Sequence, residues 1–468
     1  MTSTKINEDA KPATVTPPAS SDGDGPDAPS ASSAAAVALN RSPGFWMLMG
    51  YAVVFGVVIA FAALIFVGLM KAGTNAWFTL PKKPDWFSGS LWWVAVTAGA
   101  GLLVGVLRHV FRFPDKVPGT IQEMREAHVE PSNVLQKVAI SLVSLAGGAS
   151  LGPEAAVGGM GGGLGTWVSK RGKLNDDLSA ANTLSGMSAG FGALLTAPYL
   201  ATLLVTEVGR PNTRRLMDVL IAGLLSSSVA FAVFYPIAGD SFVGIYHLVP
   251  YTYHDWQLAA AIPIGLLAGV LALVTVVAIG LCMKLLGGLL KQSLVRALVG
   301  GILFGLIGVA LPLTLFTGDA QLKTVIDQGP ILGAGLLVAV VFAKIITFAI
   351  SQATGFIGGP FFVALFIGGT AGTALHLLIP GLPEALCVTA MMAAMPGALV
   401  AAPFSLLLLT VLVTQIGTLE TAPVAIAVLT AYLAVSGSGT LMALVQRGQK
   451  KAPASDAPTT SQPTPRTA

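Results

Sequence analysis

The stretch KVAISLVSLAGGASLGPEAAVGGMGGGLG, residues 137–165, sets one carboxylate, Glu154, in a run of small and apolar side chains. Proline is favoured at the first position of a helix and Gly152 permits a sharp turn ahead of it. Gly152-Pro153-Glu154 therefore reads as a helix start with Glu154 in its first turn. Such a start carries unpaired N–H donors and roughly half a positive charge. When it lies inside a membrane it is a site for an anion or a carboxylate, and Glu154 is read as occupying or guarding that site.

The same arrangement recurs. Aligning Lys137 with Lys344 also aligns Ser144 with Ser351, Gly148 with Gly355, Gly152-Pro153 with Gly359-Pro360, and Gly165 with Gly372, always 207 positions apart (344 − 137 = 207). Further on, GALLTAPYLATLLVTEV (192–208) pairs with GALVAAPFSLLLLTVLV (397–413) at an offset of 205 (397 − 192 = 205). The chain thus reads as a diverged duplication. Transporters built from inverted repeats place substrate where interrupted helices of the two halves meet, near the bilayer midplane. The helix starts at Pro153 and Pro360 are the expected meeting point, with Glu154 in one half facing Phe361 in the other.

Composition agrees with that class: 468 residues, 54% hydrophobic and only 10% charged, with a mean hydropathy of +0.77, describe an integral membrane protein. The 54 glycines suit helices that pack backbone to backbone. Cys282 and Cys387 show neither a disulfide framework nor metal-ligand spacing, and no metal or cofactor is expected. The net charge of +4 comes without a basic, aromatic-interleaved cluster, so nucleic acid is not an expected partner. An intramembrane enzyme is disfavoured because no HExxH motif is present.

In chain order, residues 1–42 read as a disordered tail rather than a signal peptide, and residues 447–468 as a short polar tail with no regulatory domain expected after it. Between them lies a transmembrane domain, 43–446, with repeat one at about 45–236 and repeat two at about 257–446. Apolar spans are expected near 45–70, 91–111, 216–236, 257–290, 298–316, 331–350, 361–379, 385–414 and 421–446, and a short polar-faced helix within 118–131. The segments between 135 and 208 are Gly/Pro-broken, which backbone at membrane depth tolerates only beside protein or a water-lined cavity. Arg108, Arg112, Lys170, Arg171, Lys173 and Arg210 gather at some connections, whereas 241–256 has no Lys or Arg. The positive-inside rule makes the first group cytoplasmic, the 241–256 loop external and both termini cytoplasmic, in a plasma (inner) membrane.

At this point the residues resemble a known family, the CLC chloride channels and proton-coupled chloride antiporters, over nearly all of 45–446. GPEAAVGGMGGGLG (152–165) is similar to the family's GREGP segment, with Glu154 at its gating glutamate. ALLTAPYLATLLVTEV (193–208) resembles its NAPLAG segment, GGPFFVALFIGG (358–369) its GxFxP segment, and PGT (118–120) stands where the family has GSGIP. The resemblance implies an all-α polytopic fold of two inverted repeats with tilted, partly interrupted helices. It also implies a homodimer and an anion site formed by Gly119, Gly152, Glu154, Ala155, Pro360, Phe361 and Met442. Three departures stand out: Pro360 lacks the N–H that relatives use, Pro118 replaces a serine, and Thr440-Leu441-Met442 replaces a tyrosine. Weak anion binding with little discrimination is the expected result.

Glu207 and Val208 bear on the mechanism. Antiporters of the family carry a second glutamate at the position of Val208 as internal proton acceptor, and channels carry valine. The expected function is therefore a chloride channel gated by Glu154, with a proton-coupled antiporter of chloride or another small anion as the alternative, Glu207 then serving as relay. On structural grounds alone Glu207 is expected to pair with Arg210, and Lys137 and Lys344 to snorkel to the interface.

Overall fold

The computed structural model describes residues 43–78, 90–114, 117–212, 216–239, 241–290 and 292–437. The first half is built from α1 (Pro43–Phe78), α2 (Trp92–Val110), α3 (Thr120–Glu126), α4 (Val134–Ala146), α5 (Glu154–Arg171), α6 (Asp176–Leu195), α7 (Pro198–Gly209) and α8 (Leu216–Ala238). The second half follows with α9 (Trp256–Leu289), α10 (Ser293–Ala310), α11 (Asp319–Leu332), α12 (Ala334–Ala353), α13 (Phe361–Leu378), α14 (Glu384–Val400), α15 (Pro403–Thr414) and α16 (Thr421–Gly437). Both expected tails and Met442 lie outside the described residues.

The duplication read from the side chains is also a duplication of the backbone. Helices α5 and α13 each have 18 residues and begin 207 positions apart, at Glu154 and Phe361. Helices α7 and α15 each have 12 residues and begin 205 apart, at Pro198 and Pro403. The left-handed residues are copied as well: Gly148 (φ +85°) matches Gly355 (φ +93°), and Thr196 (φ 50°) matches Ala401 (φ 61°). At Ala401 the chain turns out of α14 and Pro403 restarts it, so the apolar run over 385–414, which Pro403 interrupts in the sequence, is two helices.

Seven of the described helices, α1, α2, α8, α9, α10, α12 and α13, are long and apolar enough to cross a membrane. At 12 residues, α7 and α15 reach only about 18 Å, well short of a hydrocarbon core of about 30 Å. Glycine explains how α5 and α13 stack on the helices that follow them. A Cβ on Gly161 would collide with the Gly186 carbonyl, and one on Gly165 with that of Asn182, so α5 and α6 touch backbone to backbone. The repeat mates behave alike: Gly368 meets the Met391 carbonyl and Gly372 that of Cys387, where α13 crosses α14. The glycine spacing is therefore a packing code, kept in both halves.

Neither repeat lysine snorkels. Lys137, on α4, is buried and its Nζ lies 2.6 Å from Glu123 Oε2 on α3. Lys344, on α12, is fully buried and donates to the carbonyls of Thr314 (3.1 Å), Leu315 (3.0 Å) and Phe316 (2.7 Å), with its Nζ 4.9 Å from the Phe366 ring centroid. Partners held by the fold near each ammonium replace the water that snorkelling would reach. Breaking such a pair is costlier than never having it, because one charge is stranded. Lys137→Met should destabilise the protein by about 3 kcal/mol, and Lys137→Met/Glu123→Leu should recover most of the loss. Thermal unfolding of the detergent-solubilised variants measures both.

Candidate functional site

Two loops, 147–153 and 354–360, run from α4 into α5 and from α12 into α13, and they meet. Gly152 N–H donates to Gly359 O (2.9 Å) and Gly359 N–H to Gly152 O (2.8 Å), an antiparallel bridge between residues that are themselves 207 apart. An antiparallel pair of equivalent residues has a local two-fold axis, so the bridge marks where the repeats are related. Ser144 Oγ, donating to Ile140 O, accepts the Ile357 N–H at 3.2 Å and ties the second loop to the first repeat.

Just beyond the bridge, each chain enters its helix: Pro153 is the N-cap of α5 and Pro360 that of α13. Ala156 and Val157 N–H already close onto Pro153 O, which leaves the N–H groups of Glu154 and Ala155 ahead of the helix ladder. Glu154 folds back across the bridge, and its Oε1 accepts the Phe361 N–H at 2.6 Å, with the Phe362 N–H also facing the carboxylate. Oε2 has no partner among the described residues. The group is 1% exposed. A carboxylate thus lies where two helix N-termini point, standing in for the anion that such a site holds. Room for it exists because positions 152 and 359 are glycines; a Cβ on either would strike the Glu154 carboxylate.

The structure brings Gly152, Glu154, Ala155, Pro360 and Phe361 together around the bridge. Gly119 is exposed at the N-cap of α3. Val208 is buried on α7. Glu207 corrects an expectation: in place of pairing with Arg210, its carboxylate accepts Phe404 N–H (2.9 Å), Ser405 N–H (2.7 Å) and the Ser405 hydroxyl. It caps α15, where first-turn donors outcompete a solvated guanidinium. Three participants were not anticipated. Phe191 packs edge-on to Phe361 (5.9 Å), Phe362 follows Phe361 against the carboxylate, and Ser144 bonds across the repeats. Ser144 and Ser351 carried a signal in their repeat spacing; Phe191 carried none.

Two cavities adjoin the site. One, of about 10 Å³, is lined by Glu154, Phe191, Leu204, Phe361 and Leu409 among others, enough for about one water. The other is a vestibule of about 500 Å³, with Pro153, Thr196, Ser241, Thr317 and Asp319 in its wall.

Paired half-length helices, a two-fold bridge and a carboxylate on opposed helix N-termini define an inverted-repeat anion transporter. The family model described as voltage gated chloride channel matches residues 100–436, and the chain belongs to that family, the CLC proteins, which are transporters and not enzymes. It is 26% identical over 343 residues to the "Putative ion-transport protein YfeO" of Salmonella newport (strain SL254), covering 70% of this chain and 80% of that one. Its fold is similar to that of a slow cyanobacterial Cl⁻/H⁺ antiporter (TM-score 0.75, 20% identity, 86% of this chain and 98% of the other). A CLC-type fluoride/proton antiporter is also similar (TM-score 0.69, 17% identity, 84% and 95%).

An anion on the donors that Glu154 holds would compete with its carboxylate, so protonating Glu154 should free them, and anion flux should rise as the solution is acidified. Glu154→Gln should be constitutively active and pH-insensitive in liposome efflux. Gly359→Ala, which leaves Glu154 in place but removes its seat, should move flux and pH dependence the same way; retention of the parent's pH profile in both would refute the gate.

Proposed function

We propose that the chain is a proton-coupled antiporter of a small inorganic anion, chloride in the first instance. Glu154 is the group that alternately takes the anion's place and carries the proton. The observation that carries this reading is the buried Glu154 carboxylate on the Phe361 N–H at 2.6 Å. A group that binds where the anion binds, and that must be protonated to leave, couples the two ions by competition. The antiport described for the two similar structures supports it. The reading that Val208 favours is a channel, since valine cannot pass a proton. Glu207, one residue away and seated on α15, is the carboxylate we assign to the internal relay. It stands about 100° round the helix from Val208, so the proton route would run beside α15.

In this proposal 43–446 is the transport unit, with the short tails and both termini cytoplasmic in a plasma membrane, and the protein works as a homodimer. Its anion site would comprise the donors of Glu154, Ala155, Phe361 and Phe362, with Gly119 and Met442 at its margins. Pro360 supplies no N–H. With few directed donors, chloride binding by calorimetry should be weak, and nitrate and the halides should compete within about tenfold of one another. Tight chloride-selective binding would refute that site.

The coupling test uses proteoliposomes with a chloride gradient and the voltage clamped by an ionophore. Uphill proton movement is expected, and Glu207→Gln should abolish it while leaving chloride flux. A chloride flux without proton movement in the parent would return the assignment to a channel.

A further inference from the structure

The vestibule and the small cavity at Glu154 do not join, and one side chain, Phe362, lines both. The vestibule reaches Pro153 at the foot of α5 but stops short of the carboxylate one residue on, which is 1% exposed. What stands between is a ring, itself buried, packed against the Phe242 ring at 5.1 Å between centroids and 67° between planes. Phe242 is firmly held. Its N–H donates to Thr196 Oγ1 (2.9 Å), and its loop is fixed to the end of α15 by Gly244 N–H to Leu412 O (2.9 Å) and Tyr246 N–H to Val413 O (3.0 Å). The Tyr246 hydroxyl adds a bond to Asp319 O (3.3 Å) at the head of α11.

We infer that Phe362 is a second gate, an aromatic plug braced by Phe242, which closes the vestibule from the Glu154 site until its ring rotates. The inference rests on the reading of Glu154 as the anion-site carboxylate. Its physics is separate: an anion or a proton-bearing water cannot stay hydrated across an apolar constriction, so the ring blocks passage whatever the charge on Glu154. The local two-fold reinforces the point. The repeat mate of Phe362 is Ala155 (362 − 207 = 155), whose methyl cannot plug anything, so this obstruction is one-sided. Phe242 braces the ring from a tethered loop, which makes Phe362 the moving part.

The test measures two things in proteoliposomes: chloride efflux, and labelling of Glu154 by a water-soluble carbodiimide with glycinamide, read by peptide mass spectrometry. Asp319, in the vestibule wall, is the internal control because it is reached without passing the ring. Phe362→Ala should raise Glu154 labelling and efflux by about tenfold with Asp319 labelling unchanged, and Phe242→Ala should act in the same direction. Phe362→Leu, which keeps an apolar side chain for packing, should fall between and guards against a folding defect. Combining Phe362→Ala with Glu154→Gln should conduct faster than Glu154→Gln alone. If Glu154→Gln abolishes pH dependence yet neither ring variant changes labelling or efflux, the second gate is wrong and the carboxylate gate stands. If Phe362→Ala raises efflux while Glu154→Gln keeps the parent's pH dependence, the ring gates and the carboxylate assignment fails.

Discussion

Two helix N-termini aimed at one point inside a membrane repel each other unless something negative lies between them, and the structure turns on that condition. The bridge between Gly152 and Gly359 sets α5 and α13 in this relation, and the Glu154 carboxylate on Phe361 N–H satisfies it. Everything that fixes the bridge follows from its demands. The two loops must be close enough to exchange both hydrogen bonds. The two bridge residues must lack a Cβ so that a carboxylate can lie over them. In the proposed transport cycle the neutralising group must also be able to leave, because a permanent one would block the ion it resembles. A side chain on a flexible stem that can be protonated meets the last demand.

The rest of the scaffold gives that bridge a rigid setting. Backbone contacts at Gly161, Gly165, Gly368 and Gly372 lock α5 and α13 each against the helix that follows it. The buried lysines hold the approaches: Lys137 joins α4 to α3 through Glu123, and Lys344 joins α12 to the 314–316 turn. A buried ion pair contributes little net stability, but it specifies position sharply, since any other arrangement strands a charge. The two lysines solve that problem differently, one with a carboxylate and one with carbonyls. The loops leading to Glu154 and Phe361 are thereby not interchangeable even where their sequences match.

Much of this was legible in the sequence because repetition carries more information than periodicity. A constant spacing of 207 links Gly152 to Gly359 in the sequence, and the two residues are hydrogen-bonded partners in the structure. Glu154 was visible because a charge among small apolar residues has few explanations. What stayed hidden depended on tertiary partners. Lys137 and Lys344 looked like interfacial residues because nothing in the chain foretells that Glu123 or the 314–316 carbonyls will reach them. Glu207 reads as paired with its neighbour Arg210, since the start of α15, nearly 200 positions away, leaves no local trace. Phe191 and Phe362 carry no signal of their own in the sequence, and only the shape of the cavities separates a packed ring from an obstructing one.

The positions where the repeats disagree are therefore the ones to weigh. Glycines and lysines at matched sites preserve the frame, whereas Glu154 faces Phe361 and Ala155 corresponds to Phe362. Glu207 corresponds to Leu412 at the 205 offset (207 + 205 = 412). A perfectly two-fold transporter would present the same surface to both sides of the membrane and could not treat ions arriving from the two sides differently. Divergence at these three pairs removes that equivalence: a titratable group answers to one donor set, a ring obstructs one approach, and a carboxylate caps one helix start but not its copy. A duplicated frame with three broken equivalences keeps the helix geometry that an anion needs and adds the sidedness that controlled transport requires.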